Sequence, residues 1–150
     1  MAWLGRVNGV CGDEYVQLEA DVIQYDDEQW RALPEKVRGR LGAWCMLQKT
    51  EKFLCYLPDT DFSKHDAGLA GIVVTDQRIV YCKHHRRGSV ALDEPGELLL
   101  SQDGPFFDVS YHCDDHRRRL VRVGGPDGSE LVRALDALQR PLRVVEVIAS

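Results

Sequence analysis

Apolar positions along this chain recur mostly with a period of two, in short runs broken by polar and glycine-containing stretches. Val16, Leu18, Ala20 and Val22 alternate with Gln17, Glu19 and Asp21, so residues 14–25 predict a strand with one buried face. The period then changes. Trp30, Leu33, Val37 and Leu41 fall three and four residues apart behind the acidic opening Asp26, Asp27 and Glu28, which complements a helix dipole. Pro34 lacks an amide donor and divides this segment into two short helices or kinks one, and Gly42 ends it.

Residues 43–48 and 51–57 return to a strand-like composition around Trp44, Phe53 and Tyr56, as one bent strand or a hairpin, and residues 58–70 form a polar connection. Ile72, Val73 and Val74 and then Ile79, Val80 and Tyr81 flank the polar tetrapeptide Thr75, Asp76, Gln77 and Arg78, which predicts a hairpin. Thr75 and Asp76 have short oxygen-bearing side chains able to accept amide hydrogens two or three residues on, and Arg78 is expected to fold back onto Asp76. Residues 86–88 read as a turn, 89–92 as a strand and 93–96 as a second turn; residues 97–101, 106–113 and 118–123 read as three further strands. Glycine and proline at 124–128 predict a sharp break, after which Ser129 caps a helix whose apolar face is Leu131, Val132, Leu135 and Leu138. Pro141 stops the helix, and residues 144–148 can add an edge strand, with the N-terminal strand as a neighbour it could take.

Many short strands with a closing helix imply an α+β, mainly β fold: a small antiparallel barrel or sandwich. The phrase G-I-V-V-T-D-Q-R-I-V-Y-C at 71–82 resembles the signature hairpin of GRAM and bacterial PH-like domains, and the amphipathic segment at 129–138 looks like the helix that closes one end of such domains. The resemblance spans about residues 42–140. It implies a PH-like domain at 42–150, with a C-terminal helix at 129–140 and a short tail. Residues 1–41 then form an extension, a strand plus short helices, packed upon it.

Composition narrows the function classes. The 150 residues are 44% hydrophobic, enough for one core. A net charge of −5 argues against a nucleic-acid partner, because such proteins carry excess Lys and Arg to displace phosphate counterions. No window holds the ~18 to 20 uninterrupted apolar residues of a membrane span, and the first residues lack a secretory pattern, so a cytoplasmic protein is expected, with peripheral membrane contact as a variant. Five cysteines without C-x-x-C spacing imply reduced thiols rather than a disulfide framework.

Catalytic chemistry has thin support. His112, Cys113 and His116 are the only metal-like or nucleophile-like group, and neighbouring strand residues face opposite ways. A small metal-dependent or hydrolytic enzyme using them is the third reading, and no cofactor is implied. Basic residues stand out more: Lys83, His84, His85, Arg86 and Arg87 form one cluster, and His116, Arg117, Arg118, Arg119 and Arg122 a second. In PH-like domains, basic residues at strand–turn positions receive anionic headgroups, so the resemblance points to Lys83, His84, Arg86, Arg87, Arg117, Arg118 and Arg119 as an anion or lipid site. Asp93, Glu94, Asp114 and Asp115 stand close enough in sequence to neutralise part of it. PH-like domains also bind peptides, in the groove beside the C-terminal helix or by strand addition. The expected function is a non-enzymatic binding or adaptor module with a protein or peptide partner, and the alternative is an anionic lipid surface. Trp3, Leu4 and Trp30 are candidates to cover that groove, dock a partner or build a homodimer.

Overall fold

The computed structural model describes residues 28–147. The strand expected at 14–25, together with Trp3 and Leu4, lies outside them. Two short helices open the described chain, α1 (Glu28–Arg31) and α2 (Glu35–Leu41), with Pro34 at the N-cap of the second. Four strands follow as an antiparallel sheet in sequence order: β1 (Phe53–Pro58), β2 (Gly71–Thr75), β3 (Arg78–Lys83) and β4 (Arg86–Ala91). A second sheet holds β5 (Gly96–Asp103), β6 (Phe106–Cys113) and β7 (His116–Gly124), then helix α3 (Gly125–Leu138) crosses to β8 (Leu142–Val147). Its order is β7-β6-β5-β8.

The result is an open sandwich rather than a closed barrel. Nor is it wholly antiparallel. β8 pairs parallel with β5, Leu98 opposite Val144 and Leu100 opposite Glu146, because α3 carries the chain back across the sandwich before β8 begins. The terminal apolar run therefore lies beside β5.

Alternation explains the main core. Ile72, Val74, Ile79 and Tyr81 from the first sheet meet Leu98, Leu100, Phe107, Val109, Leu120 and Val123 from the second, with Leu131 and Leu135 of α3 closing the layer. Val73 and Val80 point the other way, yet they too are buried, under Trp30, Val37, Leu41, Cys45, Leu47 and Phe53. The first sheet is thus apolar on both faces, which is why β2 and β3 read as continuous apolar runs. Trp30 meets Phe53 edge to face at 5.2 Å and is 4% exposed, so it is a core residue rather than a docking residue.

Several local expectations are corrected. Residues 43–52 form turns and extended chain, and the strand begins only at Phe53. The turn expected at 86–88 is strand; the chain reverses instead at His84 and His85, with His84 at φ 55°, so that Lys83 pairs with Arg86. The glycine-rich stretch is the first turn of α3, whose N-cap is Gly124 rather than Ser129. Pro126 fits there because amides in a first turn have no intrahelical acceptor. Gly128 lets the helix lie on the sheet: a Cβ there would come within 2.7 Å of the Phe107 ring.

Candidate anion cleft

The tip of the β3–β4 hairpin passes beside β7, and a cleft of about 420 Å³ opens between them. Its cations are Lys83 and Arg86 from the hairpin and Arg117 and Arg119 from β7. Ser101, Asp108 and Ser110 add polar groups, and Val109, Leu120 and Val121 form an apolar floor.

Strand geometry decides which basic residues enter. Arg117 and Arg119 are two residues apart and lie across from His112 and Ser110, so they share one face of β7. Arg118, between them, points to the other face, where its guanidinium sits 5.7 Å from the Tyr111 ring centroid and donates to the Tyr81 hydroxyl at 3.3 Å. Arg86 pairs with Lys83 and shares its face, whereas Arg87 lies across from Cys82 on the opposite face. The His84 ring packs against Phe62 at 5.1 Å. Of the seven residues expected at the site, the cleft gathers Lys83, Arg86, Arg117 and Arg119 and leaves out His84, Arg87 and Arg118.

Within the cleft the cations differ in availability. Lys83 is 8% exposed, and its ammonium is held by Asp59 at 3.2 Å and by Asp61. That hydrogen bond from Lys83 holds the Asp61 carboxyl below its ordinary value. Asp59 also accepts the amides of Asp61 and Arg122, and Thr60 donates its amide to the Arg122 carbonyl, so the chain after β1 is tied to β7. Asp108 is committed in the same way to the Arg122 guanidinium at 2.9 Å. Arg86 donates to the Arg119 carbonyl at 3.2 Å, which fixes its direction without neutralising it. Among the described residues, no carboxylate lies within ion-pair distance of Arg86, Arg117 or Arg119. Asp114 and Asp115, adjacent in sequence, turn the β6–β7 hairpin and do not pair with these arginines.

Sequence reasoning missed the two features that shape the cleft. One is the acidic pair Asp59 and Asp61, whose D-T-D spacing directly after a strand was the available signal. The other is the bulge between Val109 and Ser110, which turns Leu120 inward and re-aims Arg119.

The alternative catalytic group assembles only in part: Cys113 and His116 lie across from each other in the β6–β7 ladder, whereas His112 faces the other way. Cys113 Sγ lies 3.6 Å from the Pro95 carbonyl, whereas His112 Nε2 bonds the Ser110 hydroxyl at 3.1 Å on the other face of β6. Among the described residues, no three His, Cys, Asp or Glu side chains are placed to hold a metal ion. Burial pushes the Cys45 and Cys55 thiols up to about 12, which makes them poor nucleophiles. No helix among the described residues is long and apolar enough to cross a membrane. No protein-family model and no curated protein matches the chain.

Proposed function

We propose that this chain is a non-catalytic, PH-like binding module, an adaptor that captures an anionic group on a protein partner in the cleft between the β3–β4 hairpin and β7. The observation that carries this reading is the convergence of Arg86, Arg117 and Arg119, none within ion-pair distance of a carboxylate among the described residues, in a chain of net charge −5; the acidic charge of Asp61 acts on Arg119 from further off. Three like charges held together repel one another, and an anionic ligand relieves that cost. The succession of four strands, three strands and a helix supports the PH-like part of the reading.

The peptide groove beside the C-terminal helix is less favourable than the resemblance implies. β8 occupies the edge of β5 and packs against α3, so the chain itself fills that position. This moves the expected contact from the groove to the cleft.

The test is a peptide array of neutral, Asp/Glu-rich and phosphorylated sequences, probed with the wild-type chain and with Arg117→Glu plus Arg119→Glu. Retention of anionic peptides by the wild type and its loss in the folded variant supports the reading. Equal retention by both proteins, or none by either, overturns it. A parallel sedimentation with anionic vesicles examines the lipid alternative, which uses the same arginines. Such binding weakens with salt because the charges involved are exposed.

A further inference from the structure

We infer that the cleft is built for a phosphoryl group, carried singly on a segment of a protein partner, rather than for a carboxylate or an anionic membrane plane. The inference rests on the anion-binding reading above and adds its ligand class.

The donors of the cleft suit a phosphoryl group by number and direction. A carboxylate is planar and has two oxygens, which one guanidinium fork satisfies. Here three guanidiniums arrive from two directions. Arg86 comes from the first sheet, and Arg117 and Arg119 come from alternate positions of β7. A phosphoryl group presents three strong acceptor oxygens in three dimensions and carries more than one negative charge near neutral pH, which suits a three-sided cationic cradle. The Ser101 hydroxyl in the lining adds a further donor for the same oxygens, while that of Ser110 is shared with His112.

The floor favours the same group. Leu120 is fully buried, and Val109 and Val121 are 2% and 5% exposed, so one side of the cleft is low-dielectric protein. Charge–charge attraction is stronger beside such a surface than in open water, and the gain is greatest for a compact, highly charged group.

A single group and a surface meet different charges here. A flat anionic membrane meets every charge near the site, and Asp61, half exposed at the cleft rim, together with exposed Asp114 and Asp115 at the β6–β7 turn, would face it unfavourably. A net charge of −5 adds to that opposition. The exposed large apolar side chains among the described residues are Met46, Leu69 and Val147, none of which lines the cleft to anchor it in lipid. A lone phosphoryl group is instead short enough to enter between the arginines while its carrier stays outside.

The test uses the full chain at constant ionic strength, titrated with phenyl phosphate and with benzoate, which share a ring and differ in the anion. Binding is read by calorimetry and by the phosphorus chemical shift. The expected result is saturable phenyl phosphate binding at least about tenfold tighter than benzoate. It should be lost in Arg117→Gln plus Arg119→Gln and kept in the charge-matched Arg31→Gln plus Arg133→Gln, with near-ultraviolet circular dichroism unchanged in both. Arg86→Gln, which alters the opposite wall, should weaken it as well. Equal affinity for benzoate and phenyl phosphate would overturn the phosphoryl assignment while leaving anion binding intact. Absence of binding to either overturns both. Salt-sensitive sedimentation with phosphatidylcholine vesicles containing phosphatidylserine, lost in the same arginine variant, would overturn the protein-borne source.

Discussion

Arg78, the first residue of β3, places Nε 2.7 Å from the Glu51 carboxylate, and so pins the chain before β1 to the central hairpin. Asp76, the partner expected from the local sequence, instead accepts the Lys52 amide at 2.9 Å. Glu51 further accepts the Thr75 hydroxyl at 2.6 Å, while Thr75 accepts the amides of Gln77 and Arg78, so the turn and the ion pair form one network. The Glu51 side chain has no exposure and that of Arg78 has 22%, which makes the loss of one partner unequal to the loss of both. Arg78→Ala should cost on the order of 3 kcal/mol, because it leaves a buried carboxylate without its cation. Arg78→Met combined with Glu51→Leu should recover much of that loss. Urea denaturation of the single and double variants measures both, and an additive result would show that the pair is not coupled.

The same carboxylate gives a pH dependence. Burial alone would raise the Glu51 value, but the hydrogen bonds from Arg78 and Thr75 outweigh it and hold the group below its ordinary 4.5. Because the folded value is depressed, the contribution is fully present above about 4.5 and is lost as pH falls through the folded value. Glu51→Gln should therefore flatten part of the acid limb of a stability–pH profile while changing little of its shape above neutrality. A profile with an unaltered acid limb would exclude Glu51 as a contributor.

Gly128 sits in the first turn of α3 against Phe107, where an added Cβ lies 2.7 Å from a ring carbon. Alanine has the better helix propensity, so on local grounds Gly128→Ala should stabilise. Crowding against a ring held in the core opposes that, and overpacking of this kind costs about 1 to 3 kcal/mol. The expected outcome is a lower melting temperature for Gly128→Ala, with Phe107→Leu on the same background relieving part of it. A melting temperature raised by the alanine would mean that the helix does not pack against the sheet as described.

These cases mark how far the sequence could be read. The strand at 106–113 coincides with β6, because Phe107, Val109 and Tyr111 alternate and both ends carry turn residues. The start of α3 was hidden, because Gly125, Pro126, Asp127 and Gly128 suit a loop equally well and the reason for Gly128 is a ring about twenty residues away. The reversal at His84 and His85 was hidden because histidine is not a usual turn residue, although His84 adopts positive φ. At the cleft, the arginines were legible as a block of charge. The division of Arg117 and Arg119 from Arg118 follows from period two once the strand is known. The pairing of Lys83 with Asp59 and Asp61, by contrast, joins segments that only the folded sheet brings together.

That last cluster yields a sharp contrast between two aspartates binding one lysine. The Asp59 side chain has no exposure and accepts from Lys83, from the Asp61 amide and from the Arg122 amide. The Asp61 side chain is 50% exposed and offers Lys83 a single oxygen. Asp61→Ala should cost no more than about 1 kcal/mol, because an exposed partner is replaced by water with little loss. Asp59→Ala removes the acceptor for two amides and strips a buried ammonium of its enclosed partner, and should cost on the order of 3 kcal/mol. Its effect should also reach the cleft, since the Arg122 contact fixes β7 just beyond Leu120. Denaturation of both variants, with phenyl phosphate binding measured on each, checks the contrast: similar losses for the two would mean that Asp59 is not the residue tying the first strand to β7.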